Sequence, residues 1–336
     1  MNKNAKERPE VGERKQIAVK RLSPEYWRVN IDNPPLNIMG AQMVAEFAEL
    51  VDEIERDDAL KVVVFGSENR EYFMAHYDVL GDIADSLGMP LGPLGMHPFP
   101  DALVRLSRAP VVSVASIRGR ATGSGSEIAL ACDIRFASRE NSILSHWEVG
   151  VGFAPGGGPM ARLPRLMGRG RALEVLLGAD DINGDLAERY GYVNRSLPDA
   201  ELDSFVDKFA WRIASFNREA IATTKRFVDL ASLPDDKEIQ PAWDAFTELV
   251  VKPDARARLG ALVPLGLQAA KRGRSQSRLL RWVAQMTISV EDMPIFATTG
   301  ERIRMLPDCS EITVQRNATG NAGRRNRNPF NQGVRI

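Results

Sequence analysis

Alternating apolar and polar residues mark the beginning of the chain. Residues 17–22 and 26–31 both alternate in this way and are separated by a short proline-containing turn, which predicts a β-hairpin. Residues 42–55 instead carry apolar side chains at helical spacing, which predicts an amphipathic helix. Residues 61–66 form a short β-branched run, typical of a buried strand. The first part of the chain is therefore predicted to be strand, strand, helix, strand.

The middle of the chain continues this alternation. A helix is predicted from about Asp78, followed by a proline- and glycine-rich loop from Gly88 to Pro100, whose apolar side chains suggest the wall of a pocket. After a further helix, further strands are predicted at residues 110–117, 133–137 and 142–148. A glycine turn and a short helix separate the first two of these strands.

The remainder of the chain is mainly helical. Apolar spacing of three and four predicts helices at 172–177, 185–190, 202–215 and 220–230, interrupted by one strand at 192–197. Strands alternating with helices, followed by a helical block, predict an α/β core with a helical C-terminal appendage.

The composition is that of a soluble globular protein. The 336 residues are 44% hydrophobic and 26% charged, and no apolar run is long enough to span a bilayer. Residues 1–13 are charged and lack the apolar centre of a secretory signal, so we expect a cytoplasmic protein without a membrane partner. The two cysteines lie far apart, at Cys132 and Cys309, which indicates neither a disulfide framework nor a zinc site.

The last 66 residues differ in charge from the rest of the chain. From Lys271 to Ile336 there are 12 Lys or Arg and 5 Asp or Glu, whereas the whole chain carries 44 of each sign. Residues 315–336, rich in Asn, Gly and Arg, are predicted to be disordered, and residues 279–286 have the amphipathic pattern of a docking helix. Arginines without interleaved aromatic residues favour a solvated tail over nucleic-acid binding.

A glycine-spaced turn at residues 118–126 is the strongest chemical signal. It lies between an apolar strand and a helix that carries one carboxylate, Glu127. Small residues let a ligand approach the backbone, and the first turn of a helix presents unpaired N–H groups to a negative oxygen. The spacing matches neither the dinucleotide-binding fingerprint nor the P-loop, and spacing alone favours a tight structural turn.

Four segments, in order, resemble the crotonase, or enoyl-CoA hydratase/isomerase, superfamily over about residues 17–265. They are Asn33-Pro-Pro-Leu-Asn-Ile-Met39, Phe73-Met-Ala-His-Tyr-Asp-Val79, Gly119 to Asp133, and Leu144-Ser-His-Trp-Glu-Val-Gly-Val-Gly-Phe-Ala-Pro-Gly-Gly-Gly158. The resemblance implies a crotonase-like ββα spiral core with a helical C-terminal block. It divides the chain into an N-terminal extension (1–16), a core with an acyl-CoA site (17–198), a helical oligomerisation block (199–268) and a basic, poorly ordered tail (269–336).

The resemblance also implies a catalytic site. The backbone N–H groups of Tyr77 and Ser124 are expected to hold the thioester oxygen, with Glu127 activating water and Glu148 delivering a proton. No metal and no separate cofactor is implied, because coenzyme A is part of the substrate. The remaining residues implied to contact the substrate are Pro35, Leu36, Ala75, His76, Asp78, Val79 and Gly123.

Several positions allow a second interpretation. Glu127 on its own is compatible with solvated helix surface, and Glu148 with an ion pair to Arg162 or Arg165. His76 stands where the family has glycine, so the backbone is strained there if it needs positive φ; the side chain is either a packing histidine or a general base. Tyr77, in place of a smaller residue, is expected to narrow the acyl channel.

The predicted activity is hydration of a 2-enoyl-CoA thioester, or the reverse elimination. Isomerisation, lysis or another acyl-CoA reaction on the same site is the alternative among enzymes, and a non-catalytic thioester- or RNA-binding homologue is the alternative of another class. The resemblance further implies a homotrimer or hexamer. Its contact is expected in residues 242–267, through Phe246, Leu249, Val250, Leu259 and Leu262, which are equally compatible with an ordinary core.

Overall fold

A computed structural model of the protein describes residues 14–81 and 83–268, together with the strands of residues 302–305 and 312–315. The chain divides into two compact units, Met1–Val283 and Ala284–Ile336. In the second unit, Arg302–Met305 pairs antiparallel with Ile312–Gln315, so Gln315, the first residue of the predicted disordered segment, ends a strand. The predicted docking helix at 279–286 and residues 316–336 lie outside the described residues.

The strands of the first unit confirm the predicted hairpin and most of the later strands. In chain order they are β1 (Ile17–Ser23), β2 (Tyr26–Ile31), β3 (Val62–Ser67), β4 (Tyr72–Met74), β5 (Val112–Ile117), β6 (Arg120–Thr122), β7 (Ile134–Ser138), β8 (Ile143–Ser145), β9 (Ile182–Asn183) and β10 (Arg195–Leu197). One sheet has the order β1-β2-β3-β5-β7-β10, and a second has the order β4-β6-β8-β9. Apart from the β1–β2 hairpin, the strand pairs of the first sheet are parallel.

Helices follow or separate these strands, as predicted. They are α1 (Ala41–Arg56), α2 (Ile83–Leu87), α3 (Pro98–Arg108), α4 (Ser124–Ala131), α5 (Pro159–Met167), α6 (Arg169–Gly178), α7 (Gly184–Tyr190), α8 (Asp199–Ala214), α9 (Arg218–Ser232), α10 (Asp236–Val250) and α11 (Pro253–Leu262). The apolar face of α1 is buried in the main core, which confirms its predicted amphipathic pattern. Every residue of α4 is buried, so this short helix lies inside the molecule.

Four predicted boundaries are wrong. The helix expected from Asp78 begins at Ile83, because the Asp78 carboxylate accepts the N–H groups of Leu80 and Gly81 and forms a turn. The helix expected to follow the Gly88–Pro100 loop already begins at Pro98, where His97 caps it by accepting the Phe99 N–H.

The other two differences concern short strands. The strand predicted at 142–148 ends at Ser145, and a 3₁₀ helix occupies Glu148–Val151. The strand predicted at 192–197 begins only at Arg195, since Tyr192 and Val193 are buried in the turn after α7. In both places the apolar side chains are buried as predicted, but the backbone that carries them is irregular and not a strand.

The second sheet determines where the functional segments meet. Strands β4, β6 and β8 are parallel neighbours, so their carboxyl ends lie at one edge of the sheet. The chain leaves β4 towards Tyr77, β6 towards Ser124 and β8 towards Glu148. Three of the four segments of the family resemblance are therefore brought side by side by the pairing of three short strands.

Candidate active site

A small cavity at this sheet edge contains most of the predicted site residues. Those that line it are His76, Tyr77, Val79, Gly123, Ser124, Glu127 and Glu148. The space in which the centre of a water molecule can lie is about 30 Å³, enough for one or two waters. The structure thus brings both predicted acids and both predicted amide donors to one place.

The Tyr77 and Ser124 amides both lack an acceptor among the described residues. The Met39 N–H donates to the His76 carbonyl, and the Met39 carbonyl accepts the Asp78 N–H. The residues on both sides of Tyr77 are thus hydrogen-bonded to Met39, whereas the Tyr77 N–H itself is not. Ser124 is the first residue of α4, where the helix itself supplies no acceptor for an N–H group. These are the groups required to stabilise a negative oxygen.

Gly123 makes this turn possible. Its φ of 51° and ψ of −123° suit glycine, and its N–H donates to the Ser145 carbonyl over 3.2 Å. A methyl group added at Gly123 would lie 3.2 Å from Cβ of His76 and 3.4 Å from Oε1 of Glu148. The three segments that follow β4, β6 and β8 therefore approach each other closely at this glycine.

The carboxylate of Glu127 is held by a backbone N–H group from another segment, that of Gly157. The residue is 5% exposed, and its Oε1 accepts the Gly157 N–H at 2.6 Å. A methyl group at Gly157 would lie 2.5 Å from Cδ of Glu127, so the glycine leaves room for the carboxylate. Burial, and then the nearby charge of Glu148, raise the pKa of Glu127 to about 7. Glu127 is thus buried, and the surface interpretation is wrong.

Glu148 begins the 3₁₀ helix and is also buried. Its Oε1 lies 3.4 Å from Nδ1 of His146, and its Oε2 has no hydrogen-bond partner among the described residues. The ion pair considered for Glu148 is absent there, because Arg162 donates to the Ser107 hydroxyl and Arg165 pairs with Glu238. A buried carboxylate oxygen without a partner is costly, which is typical of a functional group.

His76 is accommodated without backbone strain. The non-glycine residues with positive φ in the described chain are Asn37, Ala179 and Gln268, and His76 is not one of them. Its Nδ1–H donates to the Tyr77 carbonyl at 2.7 Å, and its ring packs edge-on against Trp147. Burial lowers the pKa of His76, so the imidazole is neutral at pH 7. The His76 side chain therefore both lines the cavity and packs against Trp147.

The other predicted contact residues lie outside the cavity lining. Asp78 accepts hydrogen bonds from Gln268, Gly81 and Leu80; although burial raises its pKa, these bonds outweigh burial and lower it. Leu36 and Ala75 are buried and joined by an Ala75 N–H to Leu36 carbonyl bond of 3.1 Å. This bond fixes the backbone two residues before Tyr77. Contact of Leu36, Ala75 and Pro35 with substrate stays a prediction.

An aromatic wall closes the cavity, and apart from Phe99 its residues lie outside the segment predicted to form such a wall. It comprises Phe99, Trp147, Phe153, Trp243 and Phe246, and the Tyr77 ring packs against three of them. Trp243 and Phe246 are the eighth and eleventh residues of α10 and lie on its buried face, where their helical spacing indicates burial but not what they face. The Tyr77 hydroxyl bonds Ser86 at 2.6 Å, and burial raises its pKa to about 12.

The Gly88–Pro100 loop contributes less to this wall than predicted. Leu91 and Leu94 are exposed, and Met96 packs in a separate cluster with Val104, Ala161 and Ile239. Phe99, already inside α3, is the residue of that segment that lines the cavity. Of the apolar wall predicted in this segment, Phe99 is in place, and most of the remaining wall comes from other elements.

Comparisons with known proteins identify the family. The family model for enoyl-CoA hydratase/isomerase matches residues 26–255, more than half of the chain. The chain belongs to the enoyl-CoA hydratase/isomerase family. The match confirms the resemblance in the four segments, the crotonase fold class and the enoyl-CoA hydratase-like class of enzyme.

Relatives of this family align with most of the chain. A crotonyl-CoA hydratase from Syntrophomonas wolfei is 32% identical over 63% of this chain and 80% of its own length. A short-chain-enoyl-CoA hydratase from Clostridium acetobutylicum is 30% identical over 70% of this chain and 90% of its own length. The crystal structure of a candidate enoyl-CoA hydratase from Streptomyces avermitilis superposes with a TM-score of 0.74 at 38% identity, covering 80% of this chain and 96% of that one.

The described residues contain neither a candidate metal-binding cluster nor a candidate membrane-spanning helix. No group of three or more His, Cys, Asp or Glu residues in the described part of the chain is placed to hold a metal ion. No helix in the same part of the chain is long and apolar enough to cross a bilayer. The absence of a cofactor stays a prediction.

Proposed function

We propose that this protein adds water across the C2–C3 double bond of a 2-enoyl-CoA thioester and catalyses the reverse elimination. The observation that carries the proposal is the pair of buried glutamates, Glu127 and Glu148, lining one small cavity with two unpaired amides. A pair of acid–base groups, one for water and one for carbon, is what hydration requires. The hydratases among the relatives support the same reaction.

In the proposed reaction the thioester oxygen accepts the Tyr77 and Ser124 N–H groups. The ionised Glu127 removes a proton from water as the water oxygen bonds to C3, and the double-bond electrons move towards the thioester oxygen to form an enolate. The two amides stabilise this negative oxygen. The two carboxyl groups hold one proton between them in the reactive form, with Glu127 ionised and the proton on Glu148. Glu148 then transfers this proton to C2, which completes the addition. Elimination runs through the same groups in reverse.

The aromatic wall supports a short acyl group. In the cavity beside the two acids, the centre of a water molecule can occupy a volume of about 30 Å³. The rings of Tyr77, Trp243 and Phe246 close this cavity. An acyl chain of several further methylene groups would have to displace these packed rings, which is costly in a dense interior. We therefore propose a four-carbon acyl group such as crotonyl.

Crotonyl-CoA tests this proposal directly. We expect the conjugated-thioester absorbance to fall on incubation with the protein, with 3-hydroxybutyryl-CoA as product. Unchanged absorbance, together with activity on a 3-enoyl or bulky aromatic acyl-CoA, would favour the isomerase or lyase alternative. A protein that binds acyl-CoA without turning over any of these substrates would favour the non-catalytic alternative.

We also propose that the protein self-associates through α9, as a trimer or dimer of trimers in the cytoplasm. Phe246, Val250, Leu259 and Leu262, the residues predicted to make this contact, are buried in the chain's own core, and Leu249 packs against it. Helix α9 instead has no buried residue, and Leu230 on it is 75% exposed. Lys225 anchors the helix to Asp133 at 2.8 Å, and open cavities of about 540 and 560 Å³ lie beside that contact.

Charges placed on this helix should therefore dissociate the assembly. We expect the protein to elute and sediment as an oligomer, and the Phe227→Glu, Leu230→Glu double variant to be a folded monomer, because desolvating two carboxylates opposes the contact. Lys208→Glu, on an exposed position of α8, is the control and should remain oligomeric. A wild-type monomer, or an unchanged mass in the double variant, would rule out α9 as the contact.

A further inference from the structure

His146 lies immediately before the 3₁₀ helix that begins at Glu148. Its side chain is 1% exposed, its Nδ1 is 3.4 Å from Oε1 of Glu148, and its Nε2 has no partner in the described part of the chain. The distance is long for a hydrogen bond, whose usual length is about 2.9 Å, but such contacts often shorten when substrate binds.

The backbone on both sides of His146 is held in place. The Ser145 carbonyl accepts the Gly123 N–H at 3.2 Å, and the Trp147 carbonyl accepts the Gly150 N–H at 3.0 Å. The imidazole is consequently presented to Glu148 by a paired backbone and not by a mobile loop. Packing alone does not explain a histidine here, because an apolar side chain would fill the space without leaving a buried nitrogen unpaired.

The two oxygens of Glu148 have different surroundings. Oε1 faces His146 and lies above Gly123, whereas Oε2 has no hydrogen-bond partner among the described residues. In a protonated carboxyl group, the oxygen that accepts a hydrogen bond is the carbonyl oxygen, and the other carries the proton. A donor at Oε1 therefore favours a proton at Oε2.

We propose that His146 is a positioning residue whose Nδ1–H holds Oε1 of Glu148, so that Oε2 carries the proton that is exchanged with C2. This inference rests on the proposed function of Glu148 as the acid. His146 does not itself touch the substrate in this scheme: it sets the orientation of the carboxyl group and which of its oxygens is the acid.

Three substitutions at position 146 separate positioning from packing. His146→Asn keeps an N–H donor one bond from Cγ, at the place of Nδ1, whereas His146→Leu and His146→Met keep apolar bulk without a donor. We expect kcat for crotonyl-CoA hydration to fall about 10–100-fold in the Leu and Met variants, the usual effect of losing one hydrogen bond to a charged group, because Glu148 becomes charged as its proton leaves for C2; KM should change less. In His146→Asn we expect recovery to within about threefold of wild type, as expected when the donor is retained.

Proton exchange at C2 provides the second measurement. Butyryl-CoA lacks the double bond, so its incorporation of deuterium at C2 in D2O reports proton transfer at carbon without water addition. We expect the Leu and Met variants to slow this exchange by the same factor as hydration, and the Asn variant to restore it. Circular dichroism and thermal melting establish that each variant is folded.

The outcomes for the two proposals are distinguishable. If the wild-type protein neither hydrates crotonyl-CoA nor exchanges the C2 proton of butyryl-CoA, the proposed function fails. If the wild-type protein is active and a folded Leu or Met variant matches it, or if the Asn variant is as slow as they are, the positioning role of His146 is overturned.

Discussion

Glu127→Gln will lower kcat for crotonyl-CoA hydration by about 10²–10⁴-fold, the usual contribution of one general acid–base group. Glutamine keeps the shape of the side chain and can still accept the Gly157 N–H that now bonds Oε1. The variant removes the proton acceptor for water and leaves the backbone of the cavity in place. Steady-state kinetics on purified wild-type and variant protein measure the effect.

The same substitution should change stability with pH in a defined direction. The pKa of Glu127 rises from an ordinary 4.5 to about 7 in the folded protein because the carboxylate is buried and lies near Glu148. Its contribution to the free energy of unfolding is therefore fully present below about pH 4.5 and is lost as the pH rises through about 7. At pH 8 the loss is on the order of 3 kcal/mol.

Glu127→Gln cannot ionise, so it should unfold at higher denaturant concentration than wild type at pH 8 and at nearly the same concentration at pH 4.5. Glu238→Gln is a matched control, because that exposed glutamate pairs with Arg165 and does not line the cavity. It should leave kcat unchanged. A Glu127→Gln variant with wild-type turnover would exclude the proposed role of Glu127 and favour the non-catalytic alternative.

Glu148→Gln will abolish proton exchange at C2 of butyryl-CoA and lower hydration by about 10²–10⁴-fold. The reason is that the amide cannot give up a proton to carbon. Glu127→Gln should retain more of this exchange than Glu148→Gln, because the proposed role of Glu127 concerns water. Deuterium incorporation measured by mass spectrometry compares the two variants.

The Glu148→Gln variant should also change how Glu127 titrates. The charge of Glu148 is one cause of the raised pKa of Glu127, so its removal lowers that pKa. Titration of the Glu127 carboxyl group by carbon NMR in both folded proteins measures the change, and we expect a pKa below the wild-type value of about 7 in the variant. Equal loss of C2 exchange in the two variants would contradict the proposed division between them.

Local sequence was sufficient for much of the fold. The alternation in β1 and β2 and the spacing of Phe47 and Ile54 in α1 each reflect one buried face, and that face is a local property of strand or helix. Strand and helix ends were less predictable. The apolar pattern of residues 142–148 predicted a strand up to Glu148. The strand ends at Ser145, whose carbonyl accepts the N–H group of Gly123 from another segment.

The site was only partly predictable for a related reason. Glu127, Glu148, Tyr77 and Ser124 lie in segments with a recognisable order of glycines and acids. Trp243 and Phe246 carry no such signal, because apolar positions of a helix indicate burial and not the neighbour. The apolar spacing that predicted an oligomer contact in α10 is the same spacing that a core helix has. The exposed fraction of the apolar side chains separates the two cases, because those of α10 are buried and those of α9 are not.

The sequence by itself determined which segments can supply two acids and two free amides, because glycine spacing and residue type are local. Only the tertiary structure decided that they share a cavity, since the pairing of β4, β6 and β8 brings together segments separated by tens of residues. It also decided the chemistry of each acid. Burial raises the pKa of Glu127, and His146 lies at one oxygen of Glu148, and neither environment exists until the chain is folded.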